Sequence, residues 1–194
     1  SEGFLSLGLG IALAFVTAVL MDRYRFLYKS LYPILVITQT IPTVAIAPLL
    51  VLWMGYDMAP KIALVVIVCF FPMAVGLLDG FRSADQDTVN LLRSMGASKG
   101  QIFRMVKLPS SLGRFFSSLR VSVSYSIVGA VIAEWLGGNS GLGVYMTRVR
   151  KSYAFDKMFA VIVLISLISL LLMWLVSMIQ RLCMPYEKYG GNQS

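Results

Sequence analysis

The side chains that could do chemistry in this sequence are few, and their spacing limits what that chemistry is. Histidine is absent, and the two cysteines, Cys69 and Cys183, lie far apart, each within or beside an apolar run. This removes the commonest metal ligand and acid–base group and supports neither a disulfide framework nor a metal centre. The acidic residues form no pair inside an apolar run. No catalytic residue is therefore assigned, and a membrane-embedded enzyme is disfavoured. Segment 137–143, GGNSGLG, is glycine-rich but lacks the Gly-Lys-Ser/Thr ending of a phosphate loop, which argues against nucleotide binding there. What remains are polar residues set inside apolar sequence. Gln39 and Pro42, with Thr38, Thr40 and Thr43, interrupt one run, and Ser118, Ser122, Ser126, Ala130 and Glu134 recur every fourth residue in another. Such residues suit a solute pathway or the close approach of two helices.

The elements that must position them follow from composition. Hydrophobic residues make up 58% of the 194 and charged residues 13%, where a soluble domain carries about 25%. An all-α, polytopic membrane protein is expected, as a single domain over 1–194. A span needs about 20 apolar residues, and five are predicted at about 3–21, 31–54, 62–80, 115–135 and 158–180. The second carries Pro33, Pro42 and Pro48. It is either one kinked span with inert prolines, or one in which residues 39–43, QTIPT, line a pathway or pack at its wall. The serine ridge of the fourth is open in the same way, between packing on a neighbour and facing a pore or a second copy. Glu134, costly in hydrocarbon unless hydrated or paired, sits beside Trp135, a residue type of the interfacial belt.

Lys and Arg gather in 22–30, read as a short basic loop, in 82–114 and in 181–194, and outweigh Lys61 and segment 144–157. The richer side is cytoplasmic. This puts the amino terminus of the chain outside and the carboxy terminus inside, and it accounts for the net charge of +8. No basic face with interleaved aromatics exists outside the spans, so nucleic acid is not an expected partner.

The long polar break at 83–109 is not a linker. Ser83, Asp85 and Asp87 are candidate caps for a short helix running to Met95, which Gly96 ends. Ser98 caps a second helix over 99–106, expected to stop before Pro109. Val89, Leu92 and Met95, then Ile102, Phe103 and Val106, make two apolar faces. These rest on lipid or fill the groove of a cytoplasmic partner.

The pattern Gly96-x9-Val106-x-Leu108-Pro109, with Asn90-Leu91-Leu92 ahead of it, resembles the EAA loop of ABC importer permeases, Glu-Ala-Ala-x3-Gly-x9-Ile-x-Leu-Pro. Gly96, Leu108 and Pro109 match, Val106 replaces isoleucine, and Asn90-Leu91-Leu92 departs from Glu-Ala-Ala. The phrases IPTVAIAPLLVLWMGY, GASKGQIFRMVKLPSSL and AEWLGGNSGLG resemble the nitrate/sulfonate/taurine branch, which includes thiamine-precursor importers. The resemblance implies a type I permease fold in a bacterial inner membrane, surrounded by lipid. It implies a second permease copy forming a homodimer and an extracytoplasmic solute-binding protein. It also implies a separate ATP-binding subunit that carries ATP and Mg, so that this chain binds no cofactor and is not itself an enzyme. The loop residues implied in ATPase docking are Asn90, Leu91, Leu92, Gly96, Ala97, Ser98, Ile102, Phe103, Leu108 and Pro109. The translocation pathway is expected at Gln39, Pro42, Ser118, Ser122, Ser126 and Glu134. The implied solute is a small anionic or heteroaromatic nutrient such as a sulfonate, nitrate or a pyrimidine precursor. Family members carry a further span ahead of the first one seen, so a missing first helix is expected. A self-contained secondary transporter or channel is the alternative; it has no need of the cytoplasmic hairpin.

Overall fold

The computed structural model describes residues 2–55, 58–137 and 141–184. The described residues form nine α-helices and one π turn: α1 Glu2–Arg23, α2 Arg25–Thr38, α3 Thr43–Met54, α4 Met58–Arg82, α5 Gln86–Ser94, α6 Lys99–Ile102, the π turn Phe103–Lys107, α7 Leu108–Gly137, α8 Leu142–Lys151 and α9 Phe155–Cys183. Four of these segments, those of α1, α4, α7 and α9, are long and apolar enough to cross a membrane, and the bent pair α2–α3 is a possible fifth span. Residues 56–57, part of the glycine-rich segment at 137–143, and the tail beyond 184 lie outside the described residues.

Helix α4 is the centre, with α1 on one side and α7 on the other. Ala14, Ala18 and Met21 of α1 meet Met73, Leu77, Leu78 and Phe81 of α4 in the main core. The α4–α7 seam is built of small residues. A Cβ on Gly80 would lie 2.7 Å from Ser111 Cβ and 2.9 Å from its Cα, and the Ser118 hydroxyl occupies the space beside Gly76. Glycines four apart on one helix against serines on another allow backbones to approach closely in a membrane. Deeper in the seam, Cys69 Sγ donates to the Ser122 carbonyl (3.2 Å) and Ser122 Oγ donates to the Cys69 carbonyl (3.1 Å). By contrast, Phe159, Leu167, Leu170, Leu171 and Trp174 of α9 are exposed, as suits surface covered by lipid rather than water.

Two expectations about local structure are corrected, and one of two open readings is ruled out. Segment 22–30 is not a loop: only Tyr24, with extended backbone, separates α1 from α2. The run 31–54 is not one kinked helix: α2 and α3 meet at 98°. Pro42 has no N–H to continue the ladder, and a residue preceding proline is disfavoured in helical backbone. The hydroxyls of Thr38 and Thr40 donate back to the Leu35 and Ile37 carbonyls, at 2.7 Å each. Pro109 does not end a helix either. The chain turns through Phe103–Lys107 with a wider π spacing, Leu108 N–H donating to the Phe103 carbonyl, and Pro109 falls in the first turn of α7, where a missing amide costs little. Pro60 is placed in the same way in the first turn of α4.

Candidate functional site: a capped hairpin and a cavity at the broken span

The ends of α1, α4 and α7 meet on the basic side of the molecule. Lys107 Nζ donates to both Asp22 oxygens at 2.7 Å, the one ion pair among the described residues. Phe103 packs edge-on against Phe81 with ring centroids 5.1 Å apart, and the Arg82 guanidinium lies 3.7 Å over the Tyr28 ring. The first two of these contacts anchor the hairpin 83–109 to α1 and α4, and the third joins α4 to α2.

The hairpin is ordered by local chemistry. Asp85 caps α5, accepting from the Asp87 and Thr88 amides and from the Thr88 hydroxyl. Gly96 has φ +85°, a region open to glycine at little cost. Its N–H reaches the Arg93 carbonyl, and Ala97 N–H reaches Leu92, the two bonds that close a helix in a Schellman motif. Ser98 and Gln101 form a reciprocal capping box on α6.

The Thr88 hydroxyl, followed by the Thr88 and Asp87 amides, holds the Asp85 carboxyl below its ordinary pKa. A depressed carboxylate stabilises the fold above its unfolded pKa, and that contribution is lost as pH falls through the folded one. Amide exchange over residues 86–94 is therefore expected to be slower in the native protein than in Asp85→Ala at pH 7. Relative to intrinsic rates, the two should converge as pH falls through the depressed pKa of the folded carboxyl. Equal protection at pH 7 would mean that the cap does not hold α5.

The hairpin turns only part of its apolar surface outward. Val89 and Ile102 are buried within the chain, and Phe103 and Leu108 pack against the main core. Ile102, Phe103 and Leu108, expected to meet a partner, are thus inward anchors. Leu92 and Ala97 are half-buried, whereas Asn90, Gly96, Ser98 and Pro109 are exposed. The large outward apolar side chains are Leu91 (61% exposed) and Met95 (74%), with Met105 on the π turn.

A cavity of about 270 Å³ opens at the break between α2 and α3. Gln39 and Pro42 line it from the break, and Tyr125, Val128 and Gly129 from α7. The serine ridge does not. Ser122 is fully buried against α4, Ser118 fills the gap at Gly76, and Ser126 Oγ returns to the Val123 carbonyl at 2.7 Å. In this fold the Ser118 and Ser122 side chains serve the helix seam, Ser118 in the space that Gly76 leaves and Ser122 paired with Cys69. Tyr125, one residue off the ridge, joins the lining instead; a phenol inside an apolar run is the signal the sequence carries for it. Glu134 is also away from the cavity: its Oε2 accepts the Gly143 N–H at 2.7 Å, at the start of α8. Arg120, inside α7, donates to Gln180 Oε1 of α9 and to Ser117 Oγ. The guanidinium thus has partners where an unpaired charge would be costly.

Truncating Glu134 should loosen α8. Glu134→Ala is expected to cost about 1–2 kcal/mol and to speed amide exchange at 142–145. Unchanged exchange there would remove the capping role.

Residues 7–183 match the family described as binding-protein-dependent transport system inner membrane component. The chain belongs to this family. It is 35% identical to the formylaminopyrimidine transport permease protein ThiX of Halalkalibacterium halodurans, over 94% of this chain and 74% of that one. It is 40% identical to a probable ABC transporter permease protein of Haemophilus influenzae, over 87% and 69%. It is 30% identical to the putative aliphatic sulfonates transport permease protein SsuC of Bacillus subtilis, over 97% and 68%. The chain is a multi-pass, all-α inner-membrane permease of an ABC transport system, as its loop motif implied. Such a permease works with an ATP-binding subunit and a substrate-binding protein.

Proposed function

We propose that the hairpin 83–109 couples solute passage to ATP hydrolysis on the partner subunit, and that the cavity at the α2–α3 break belongs to the passage. The observation that carries the docking assignment is the exposed pair Leu91 and Met95 on a helix capped at both ends. Isolated helices of nine residues are marginal in water, so the caps and the inward anchors give this one the rigidity that a groove requires. Asn90, Leu92, Gly96, Ala97 and Ser98 complete the outward rim, with Pro109 at its edge. ATP and Mg are held by the partner, two copies of this permease form the pore, and the binding protein delivers solute to the opposite face.

The solute is a small anionic or heteroaromatic nutrient. The support is the pair of relatives whose names specify formylaminopyrimidine and aliphatic sulfonates, together with a cavity lined by an amide, hydroxyls and a phenol. A carboxamide and a phenol can hydrogen-bond such a solute without a fixed charge that would hold it. Gln39→Ala and Tyr125→Phe test the cavity. In vesicles containing the complete transporter, each is expected to lower uptake of the accepted solute while ATPase recovery stays at the native level. Native uptake in both variants would remove the cavity from the passage.

A further inference from the structure

A second cavity, of about 280 Å³, lies under the hairpin, between it and the end of α1. Its wall carries Arg23, Arg93, Lys99 and Lys107 against a single acid, Asp22. Lys107 is committed to Asp22. Arg23, Arg93 and Lys99 have no carboxylate partner among the described residues. The floor is apolar, made by Val19 and by the inward faces of Ile102 and Phe103. The cavity also adjoins the hydrocarbon level. Leu9, Leu13, Val16 and Leu20 are exposed along one stripe of α1, at the three- and four-residue spacing of a single helix face, and the next position on that stripe is Arg23.

Three cations without a carboxylate partner, around an apolar-floored cavity at the end of a span, fit a phosphate that carries acyl chains. We infer that this cavity binds the headgroup of an anionic phospholipid from the cytoplasmic leaflet, its phosphate among Arg23, Arg93 and Lys99 and a chain along the exposed stripe of α1. Basic pockets between spans on the cytoplasmic side take such headgroups. Guanidinium pairs suit phosphate because their N–H groups match two oxygens at once. Because Arg93 belongs to α5 and Lys99 to α6, a bound lipid would tie both arms of the hairpin to α1. The inference rests on the hairpin lying at the cytoplasmic face and not on its docking an ATPase, so the two can fail separately.

Native mass spectrometry of the full-length permease, released from mixed phosphatidylglycerol and phosphatidylcholine micelles, tests it. The native protein is expected to retain phosphatidylglycerol in preference. R93Q/K99Q should weaken that retention about 30-fold, while the charge-conserving R93K/K99R keeps most of it. If R93Q/K99Q is recovered unfolded, Arg23→Gln on α1 probes the same site without touching the hairpin, and a fivefold or greater loss is expected. Equal retention of the two lipids, or retention unchanged in R93Q/K99Q and Arg23→Gln, would overturn the site. Binding of radiolabelled inorganic phosphate in neutral micelles that these variants abolish, without any preference for phosphatidylglycerol, would overturn the lipid assignment in favour of a soluble phosphate.

Discussion

The double substitution L91D/M95D is expected to reduce ATP-driven solute uptake to background while leaving the permease folded and inserted. Both side chains are largely exposed and outside the core clusters, so the chain itself loses little. A groove that receives them loses more. Burying a Leu or Met side chain is worth about 1.5–3 kcal/mol, and an unpaired carboxylate in its place adds a desolvation cost. Together these predict a loss in ATPase affinity of roughly a hundredfold or more. The measurement is uptake into vesicles, normalised to permease content, with ATPase recovery on the purified complex. L91A/M95A should fall between native and L91D/M95D. Native uptake in L91D/M95D would leave the hairpin as an interfacial element resting on lipid.

Gly80→Val should have the largest effect on folding. The added Cβ would meet Ser111 Cβ at 2.7 Å, Cα at 2.9 Å and the carbonyl oxygen at 3.2 Å. The obstacle is partly backbone, so no rotamer change relieves it, and α4 and α7 must separate. Overpacking costs about 1–3 kcal/mol, and the upper end is expected where the shift propagates along a seam that also holds Gly76–Ser118 and Cys69–Ser122. Gly8→Val is the control, since nothing lies within 4 Å of its added Cβ. Monodisperse protein recovered from membranes should drop severalfold for Gly80→Val and stay near native for Gly8→Val. Equal recovery would show that the α4–α7 contact is not close in the folded permease.

Much of this was legible from residue types because the signals are local. Charge-poor runs marked the spans, and Asp85, Gly96 and Ser98 marked the hairpin, since caps and a positive φ depend on a few neighbouring residues. Features set by distant residues were not legible. The spacing of Ser118 and Ser122 fits a pore or a seam equally well, and the decision lies with Gly76 and Cys69, far earlier in the chain. The same holds for the hairpin. Val89 and Leu91 are both apolar residues on one short helix, and only the position of α1 and the rings of Phe81 and Phe103 decides which faces inward. Pro109 reads as a stop until the π turn before it widens the ladder. The right-angle break at 39–42 was foreshadowed by Pro42, but its angle follows from packing of α3 against α4 and α7.

Photo-crosslinking from position 95 tests the docking assignment most directly. A benzophenone-bearing residue replacing Met95, in cells that also express the ATP-binding subunit, is expected to give a permease–ATPase adduct on illumination. The same residue replacing Ser152, on the opposite side of the membrane, should give none. Adducts from position 95 to lipid alone, with the ATPase present and active, would contradict the account.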